Sequence, residues 1–414
     1  MPRYAAALAA IAGAAILLYS RSAGFGLFAD DFQWLMGAAT FDHNRLLDLG
    51  NRDHFYRPVM ELYFGGALAA CGRDAACYHW LNILIHALNA VLLAVLVSRL
   101  SQHRGIGVLA GLLFAIQPAP TEAVAWISAA TELLVTTFFV TTLWLFSLSL
   151  TRGSKLLPGA AVVTFVLCLL SHESGITLLP MLAALMWMLG RGPRTWRALL
   201  PFAAVVALYL PLAYIVSTRN YLVREGHYGA GIHMLRNLLD AVGHYTVASD
   251  AMPVVIVLAG LMIWGLWAGT PRVRFYTLWM IVTLLPFAGF REGFSSRYLY
   301  LAAAGFAGLA AEALWLLRVW LQPKRHGSLV WWAAAVLITA RFIPFAVKNV
   351  DVWETAARPY RDYAAAVRTA HPAPAPGSAL DVPSPKGFPP HLVPALLQWE
   401  YDDPALRVNV RPVP

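Results

Sequence analysis

The stretch HWLNILIHALNAVLLAVLVSRL, residues 79–100, decides the fold. It carries no acid, and its one strong base, Arg99, stands at the far end. A helix that crosses a membrane needs about 20 mainly apolar residues, and this stretch supplies them. Its polar residues His79, Asn82, His86 and Asn89 fall at offsets 0, 3, 7 and 10. At about 100° per residue they share one helical face. Lipid does not tolerate such a stripe, so it faces protein, with interhelical hydrogen bonding as its expected work. Metal ligation by the two histidines is poorly served, because seven residues rise about 10 Å.

The rest of the chain fits a bundle around that helix. Of its 414 residues, 59% are hydrophobic and only 13% charged, against about 25% charged in an average soluble domain. With a mean hydropathy of +0.59, the chain reads as an all-α polytopic membrane protein whose solvent is the bilayer. Eleven spans are expected, near 4–19, 78–100, 105–117, 132–150, 156–170, 175–189, 196–216, 252–268, 273–290, 297–321 and 329–347. The first reads as a retained span, since no clear cleavage site follows it. With Arg3 in the cytoplasm, alternate turns read SQHRG, TRGSK, RGPRTWR, TPRVR and QPKRHG. All five are short and basic and none holds an acid, as the positive-inside rule demands. The net charge of +9 is therefore topological, and no nucleic-acid partner is implied.

The opposite, extracytoplasmic side receives a long first loop at about 20–77, PAPTEAVAWISAATE (118–132), SHESG (171–175), a loop at 217–250, and REGFSSR (291–297). Residues 1–347 form the expected membrane domain. Residues 348–414, with HPAPAPG and VPSPKGFPP, form a short proline-rich appendage with extended segments. Cys71 and Cys77 flank GRDAA in the first loop, where a disulfide and two free thiols both remain open. Cys168 lies within a span and reads as a packed core thiol. The cytoplasmic halves of the spans read as uniformly apolar. High Arg and Ala usage points to a GC-rich bacterium, and so to its inner (cytoplasmic) membrane.

Ionisable groups near a span are costly and informative. They recur at the outer helix ends. GLFADDFQWLM (26–36) holds Asp30 and Asp31, a solvated pair, a cap for a helix starting at Phe32, or a general base beside a reacting hydroxyl. FYRPVMELYF (55–64) holds Arg57, an interfacial anchor or a bidentate holder of an anionic headgroup. In QPAPTEAVAWISAATELL, Glu122 and Glu132 bracket a non-spanning stretch; Thr121 caps a short helix and Glu122 supports its first turn. LLSHESGITLLP joins two apolar runs through His172 and Glu173, a site or a self-satisfied turn. REGFSSRYLYLAAAG places Arg291, Arg297, Tyr298 and Tyr300 at headgroup depth. No phosphate loop, HExxH, CxxC or GxSxG motif competes.

Together these motifs resemble a family. The ordered run DDF, YRPV, HWLNILIHALNAVLL, TEAV…ELL, SHESGITLLP and RYLYLAAAG, residues 30–305, is similar to the membrane part of the transmembrane, tetratricopeptide-containing O-mannosyltransferase-like proteins and their bacterial relatives, within the GT-C glycosyltransferases. The resemblance implies transfer of a sugar from a polyprenyl-phosphate carrier to an acceptor outside the cytoplasm, whether protein, glycolipid or envelope polymer, with inversion. It maps Asp30 or Asp31 onto the first-loop acid and Glu122 onto the acid of TEAV. It maps Glu173 onto the acid of an S-K-E-x-G turn, and Arg297 with Tyr300 onto an R-x-L-Y-L helix end. Gln117 and Pro120 depart from the histidines of HPxHTEAV, His172 from a lysine, and Ala130-Thr131 from Gly-Arg. The tail is too short for an array of 34-residue repeats, so the acceptor is expected to differ.

On this reading Asp31 is favoured as base with Asp30 orienting it or capping. Arg297 takes the phosphate charge, with Arg57 or His172 as second choices and Glu173, Glu122 and Tyr300 completing the carrier site. No convincing ligand set is visible, so neither a cofactor nor a divalent metal is expected. The rivals are a transporter or flippase for lipid-linked sugar and a non-catalytic binding partner.

Overall fold

The structure is a computed structural model that describes residues 2–41 and 55–411. Residues 42–54 of the expected first loop and 412–414 of the tail lie outside the described residues. The helices run in the order α1 (Pro2–Tyr19), α2 (Asp31–Ala39), α3 (Pro58–Cys71), α4 (Ala75–Ser101), α5 (Arg104–Ile116), α6 (Thr121–Ala125), α7 (Ala130–Ser149), α8 (Leu156–Ser171) and α9 (Leu178–Met188). They continue as α10 (Leu200–Ser217), α11 (Tyr221–Arg224), α12 (His233–Thr246), α13 (Met252–Ala268), α14 (Pro271–Ala288), α15 (Tyr300–Leu321), α16 (Gly327–Ala370) and α17 (Val393–Tyr401). Strands β1 (Ala379–Pro383) and β2 (Arg407–Arg411) pair in parallel.

A helix occupies each of the eleven expected stretches. Among the described residues, six segments are long and apolar enough to cross a membrane: Pro2–Gly24, Ala75–Ser101, Ile127–Ser149, Thr195–Ser217, Ser296–Leu321 and Gly327–Ala370. α5, α8, α9, α13 and α14 are shorter, at 11 to 18 residues. Large apolar side chains face outward along the bundle, including Leu17 at 78% exposure, Leu208 at 80% and Trp267 at 88%. Lipid accepts such a surface and water does not. The chain is a multi-pass membrane protein.

α4 is the hub and packs on α1, α5 and α7. α5 approaches it closely, because a Cβ on Gly107 or Gly111 would collide with the backbone of Ala94 or Ala90. The stripe of α4 does the work expected of three of its members. Asn82 Nδ2 donates to Trp126 O (3.0 Å), His86 Nδ1 meets Tyr300 Oη (2.8 Å), and Asn89 Nδ2 donates to Leu133 O (2.9 Å). Such bonds are worth about 0.6–2 kcal/mol each between helices in lipid. His79 is buried against the edge of Phe25, and its ring nitrogens make no hydrogen bond of good geometry.

Three expectations change, and the alternative left open for Cys71 and Cys77 is resolved. The stretch 217–250 holds α12, whose buried Asn237 donates to Ala288 O and Phe290 O. α16 runs without a break across residue 347 to Ala370, carrying the chain from the bundle to the small β1–α17–β2 unit. Cys71 and Cys77 are joined by a disulfide between α3 and α4. The basic half of the bundle is not uniformly apolar: Glu312 of α15 is fully buried and receives Arg272 of α14 at 2.7 Å and 2.9 Å. At that same end Arg99 donates to Ser147 Oγ (2.7 Å) and Thr151 Oγ1 (2.6 Å), tying two of the basic turns together.

Candidate active site

At the acid-bearing end, the chain leaves α1 through a 3-10 turn and reaches Ala29, which holds φ at +51°. That left-handed value turns the backbone so that Asp31 points inward; it is strained for a residue with a Cβ. Asp31 is the first residue of α2 and is fully buried. Its Oδ2 accepts from Phe28 N–H (3.0 Å), and its Oδ1 accepts from Ser128 N–H (2.8 Å) and from the Ser128 hydroxyl. A carboxylate has about four acceptor positions, so three are filled and one is left. Burial pushes the Asp31 carboxyl up to about 7, while the bonds from Ser128 and Phe28 work against the rise. Asp30 occupies the N-cap position, but its side chain makes no cap bond and the helix begins at Asp31, not Phe32.

Ser128 lies in the 3-10 turn Ile127–Ala129, between α6 and α7. Thr121 does not cap α6; it is its first residue, and its hydroxyl donates back to Pro118 O. Just before Ser128, the Trp126 ring stacks on Phe28 (5.9 Å) and Trp353 (6.3 Å). Its other contact is with Arg297, whose guanidinium carbon sits 4.7 Å from the Trp126 centroid and 4.7 Å from the Tyr298 centroid. Asp31 and Arg297 therefore meet the same short segment, Trp126–Ser128.

Arg297 sits in a 3-10 turn that leads into α15. Its Nη1 donates to Glu122 Oε1 (2.8 Å) and its Nη2 to Tyr298 Oη (3.1 Å). Glu122 Oε2 accepts from Ser296 Oγ (2.9 Å) and Arg297 N–H (3.0 Å). A second cation lies across the cluster. Arg57, ahead of Pro58 at the start of α3, grips Glu173 through Nε (3.1 Å) and Nη2 (2.7 Å). Tyr298 and Glu132 lie within its electrostatic reach. His172 is buried beside them. Its Nδ1 accepts from Ser174 N–H (3.0 Å), which leaves Nε2 to carry the proton and face Glu132 Oε1 at 3.2 Å.

The structure thus brings together Arg57, Glu122, Glu132, His172, Glu173 and Arg297, with Asp31 joined through Trp126–Ser128. Glu122 and Glu173 face the arginines as counter-ions. One expectation is corrected. Tyr300 is fully buried in the bundle, bonded to His86 and Asn89, because it follows Arg297 by three residues and enters α15 on the α4 side. Tyr298 takes the place beside Arg297. Ser128, Trp126 and Tyr298 escaped assignment in the sequence; the aromatics stood in quoted outer segments, but no periodicity marks residues of a 3-10 turn. Among the described residues, no three His, Cys, Asp or Glu side chains group as metal ligands.

No family model matches the chain. Over 199 residues it is 28% identical to the protein O-mannosyl-transferase TMTC1 of Mus musculus, a match covering 42% of this chain and 21% of that protein. The matched stretch thus spans about a fifth of this curated relative. Among solved structures, the oligosaccharyltransferase of Archaeoglobus fulgidus superposes with a TM-score of 0.59 at 14% identity, covering 99% of this chain and 64% of that one. ArnT from Cupriavidus metallidurans, bound to undecaprenyl phosphate, gives 0.54 at 13% identity, covering 97% and 85%. Likeness over nearly the whole length to both proteins shows that this chain shares their fold, in agreement with the GT-C-like fold expected from the sequence.

Proposed function

We propose that the chain is a glycosyltransferase that moves a hexose from a polyprenyl-phosphate carrier to an acceptor hydroxyl on the extracytoplasmic side of a bacterial inner membrane. The observation that carries this reading is the pair of arginines, Arg57 and Arg297, gathered at the acid-bearing end, with a carboxyl tuned near neutrality anchored to the same segment as Arg297. Undecaprenyl phosphate in the related ArnT structure supports the carrier class.

In the reaction, the acceptor O–H donates to the open position of Asp31, which takes the proton as general base. The acceptor oxygen forms a bond to the anomeric carbon as the bond from that carbon to the phosphate oxygen breaks. The electron pair leaves with the phosphate, and the Arg297 and Arg57 guanidiniums stabilise it. Glu122 and Glu173 keep both forks aimed before the anion arrives. Attack from the face opposite the phosphate inverts the anomeric centre. Protein Ser/Thr, a glycolipid and an envelope polymer all offer the required hydroxyl.

The test is carrier consumption by the purified protein with a panel of undecaprenyl-phosphate hexoses and, in separate arms, a Ser/Thr peptide, a glycolipid and an envelope polysaccharide as acceptor. Release of undecaprenyl phosphate that Asp31→Asn and Arg297→Gln each lower by about a hundredfold or more, with lipid binding retained after Asp31→Asn, supports the transferase. Unchanged turnover in both variants, or lipid translocation without sugar release, refutes it.

A further inference from the structure

The mechanism leaves one buried acid without work. Glu132 is the third residue of α7, its side chain is fully buried, and neither carboxylate oxygen has a hydrogen-bond donor. An acid in the first turn suits the helix dipole, yet that role ordinarily comes with backbone donors, and among the described residues no backbone N–H bonds to Glu132. It is also not needed as a counter-ion. Arg57 and Arg297 act on it electrostatically, but each is already held by its own acid, Glu173 and Glu122.

What faces Glu132 narrows its partner. His172 Nε2, 3.2 Å from Oε1, also makes no hydrogen bond of good geometry. Two acceptor oxygens and one N–H donor therefore stand beside the two cations. A phosphate offers no donors to a carboxylate and is repelled by it. A pyranose offers adjacent hydroxyls. A sugar attached to a phosphate held by Arg57 and Arg297 would enter the same cluster of side chains, since both arginines act on Glu132 electrostatically.

We infer that Glu132 and His172 form the sugar subsite. The two Glu132 oxygens accept from neighbouring hydroxyls of the donor hexose, and His172 Nε2–H donates to a sugar oxygen. The inference rests on the lipid-linked donor proposed above, but not on turnover.

The experiment compares binding of undecaprenyl phosphate with binding of its mannose, glucose and galactose derivatives to the purified full chain in detergent, by native mass spectrometry. The unaltered protein should prefer at least one sugar-bearing lipid to the bare lipid by roughly tenfold or more. Glu132→Gln should remove that preference without lowering affinity for the bare lipid, and His172→Gln should weaken the preference in the same sense. On the unaltered protein, monodeoxy forms of the preferred hexose give a readout free of folding effects: two adjacent positions should each lose roughly tenfold. No preference for any of the three sugars, a preference that survives Glu132→Gln, or no sensitive pair of hydroxyls overturns the subsite. Sugar preference without turnover sinks the transferase and keeps the subsite; turnover with an unchanged preference in Glu132→Gln does the reverse.

Discussion

Lowering the pH from about 8 to about 6 should reduce kcat/KM roughly tenfold if Asp31 is the base. The magnitude follows from its surroundings. Burial lifts the carboxyl from 3.8 to about 7, against bonds from Ser128 and Phe28, and Asp30 adds to the rise. About nine-tenths of Asp31 is then ionised at pH 8 and about one-tenth at pH 6. The neighbours fix the signs of two further shifts. Ser128→Ala removes a bond that favours the carboxylate and should move the acid limb to higher pH. Asp30→Asn removes a like charge and should move it lower. Stability runs the other way, because the folded pKa lies above the unfolded one. Asp31's contribution is full below about pH 4 and is lost as pH rises through about 7, with ionisation in place costing on the order of 4 kcal/mol. The melting temperature should therefore fall across the range in which activity climbs, and Asp31→Asn should flatten that slope. The assay is release of undecaprenyl phosphate from an undecaprenyl-phosphate hexose, with melting measured in the same detergent. A rate independent of pH over this range, or displacement of the limb in one direction by both variants, refutes the assignment.

Arg297→Gln should lower kcat about 10²- to 10³-fold with a modest loss of stability, since Ser296 Oγ and the backbone N–H of residue 297 still serve Glu122; single-turnover kinetics beside thermal melting separate the two effects. Arg272→Met leaves Glu312 buried without its cation and should cost about 3–5 kcal/mol. Most of that should return in the double variant with Glu312→Leu, measured by unfolding in detergent. Treatment with a chelator should leave turnover unchanged, and restoration of lost activity by one divalent ion would refute that expectation.

Much of the fold was legible because lipid imposes a simple rule. Every long apolar run must become a helix, and the five basic turns order the runs. The stripe on α4 was readable for the same reason, since His86 and Asn89 had to find partners inside the bundle. The site was legible as a set of motifs but not as pairings. Nothing along the chain says that Arg57 meets Glu173 rather than Glu122, or that Asp31 is tied to Ser128, because those contacts join segments about a hundred residues apart. Tyr300 and Tyr298 differ by two positions, which in a helix or 3-10 turn is enough to send one inward and the other to the cation. Glu312 was overlooked because a single acid within an apolar run barely alters its average hydropathy.

That acid bears on how the protein is made. Alone in hydrocarbon, a central Asp or Arg costs about 2.5–3.5 kcal/mol at the translocon, and α15 presents Glu312 past its midpoint with α14 as the neighbour that supplies Arg272. The two helices are consecutive in the chain and pack against each other. Insertion as a joined hairpin, with α14 retained at the exit site until α15 emerges from the ribosome, spares either one a solitary passage into the bilayer.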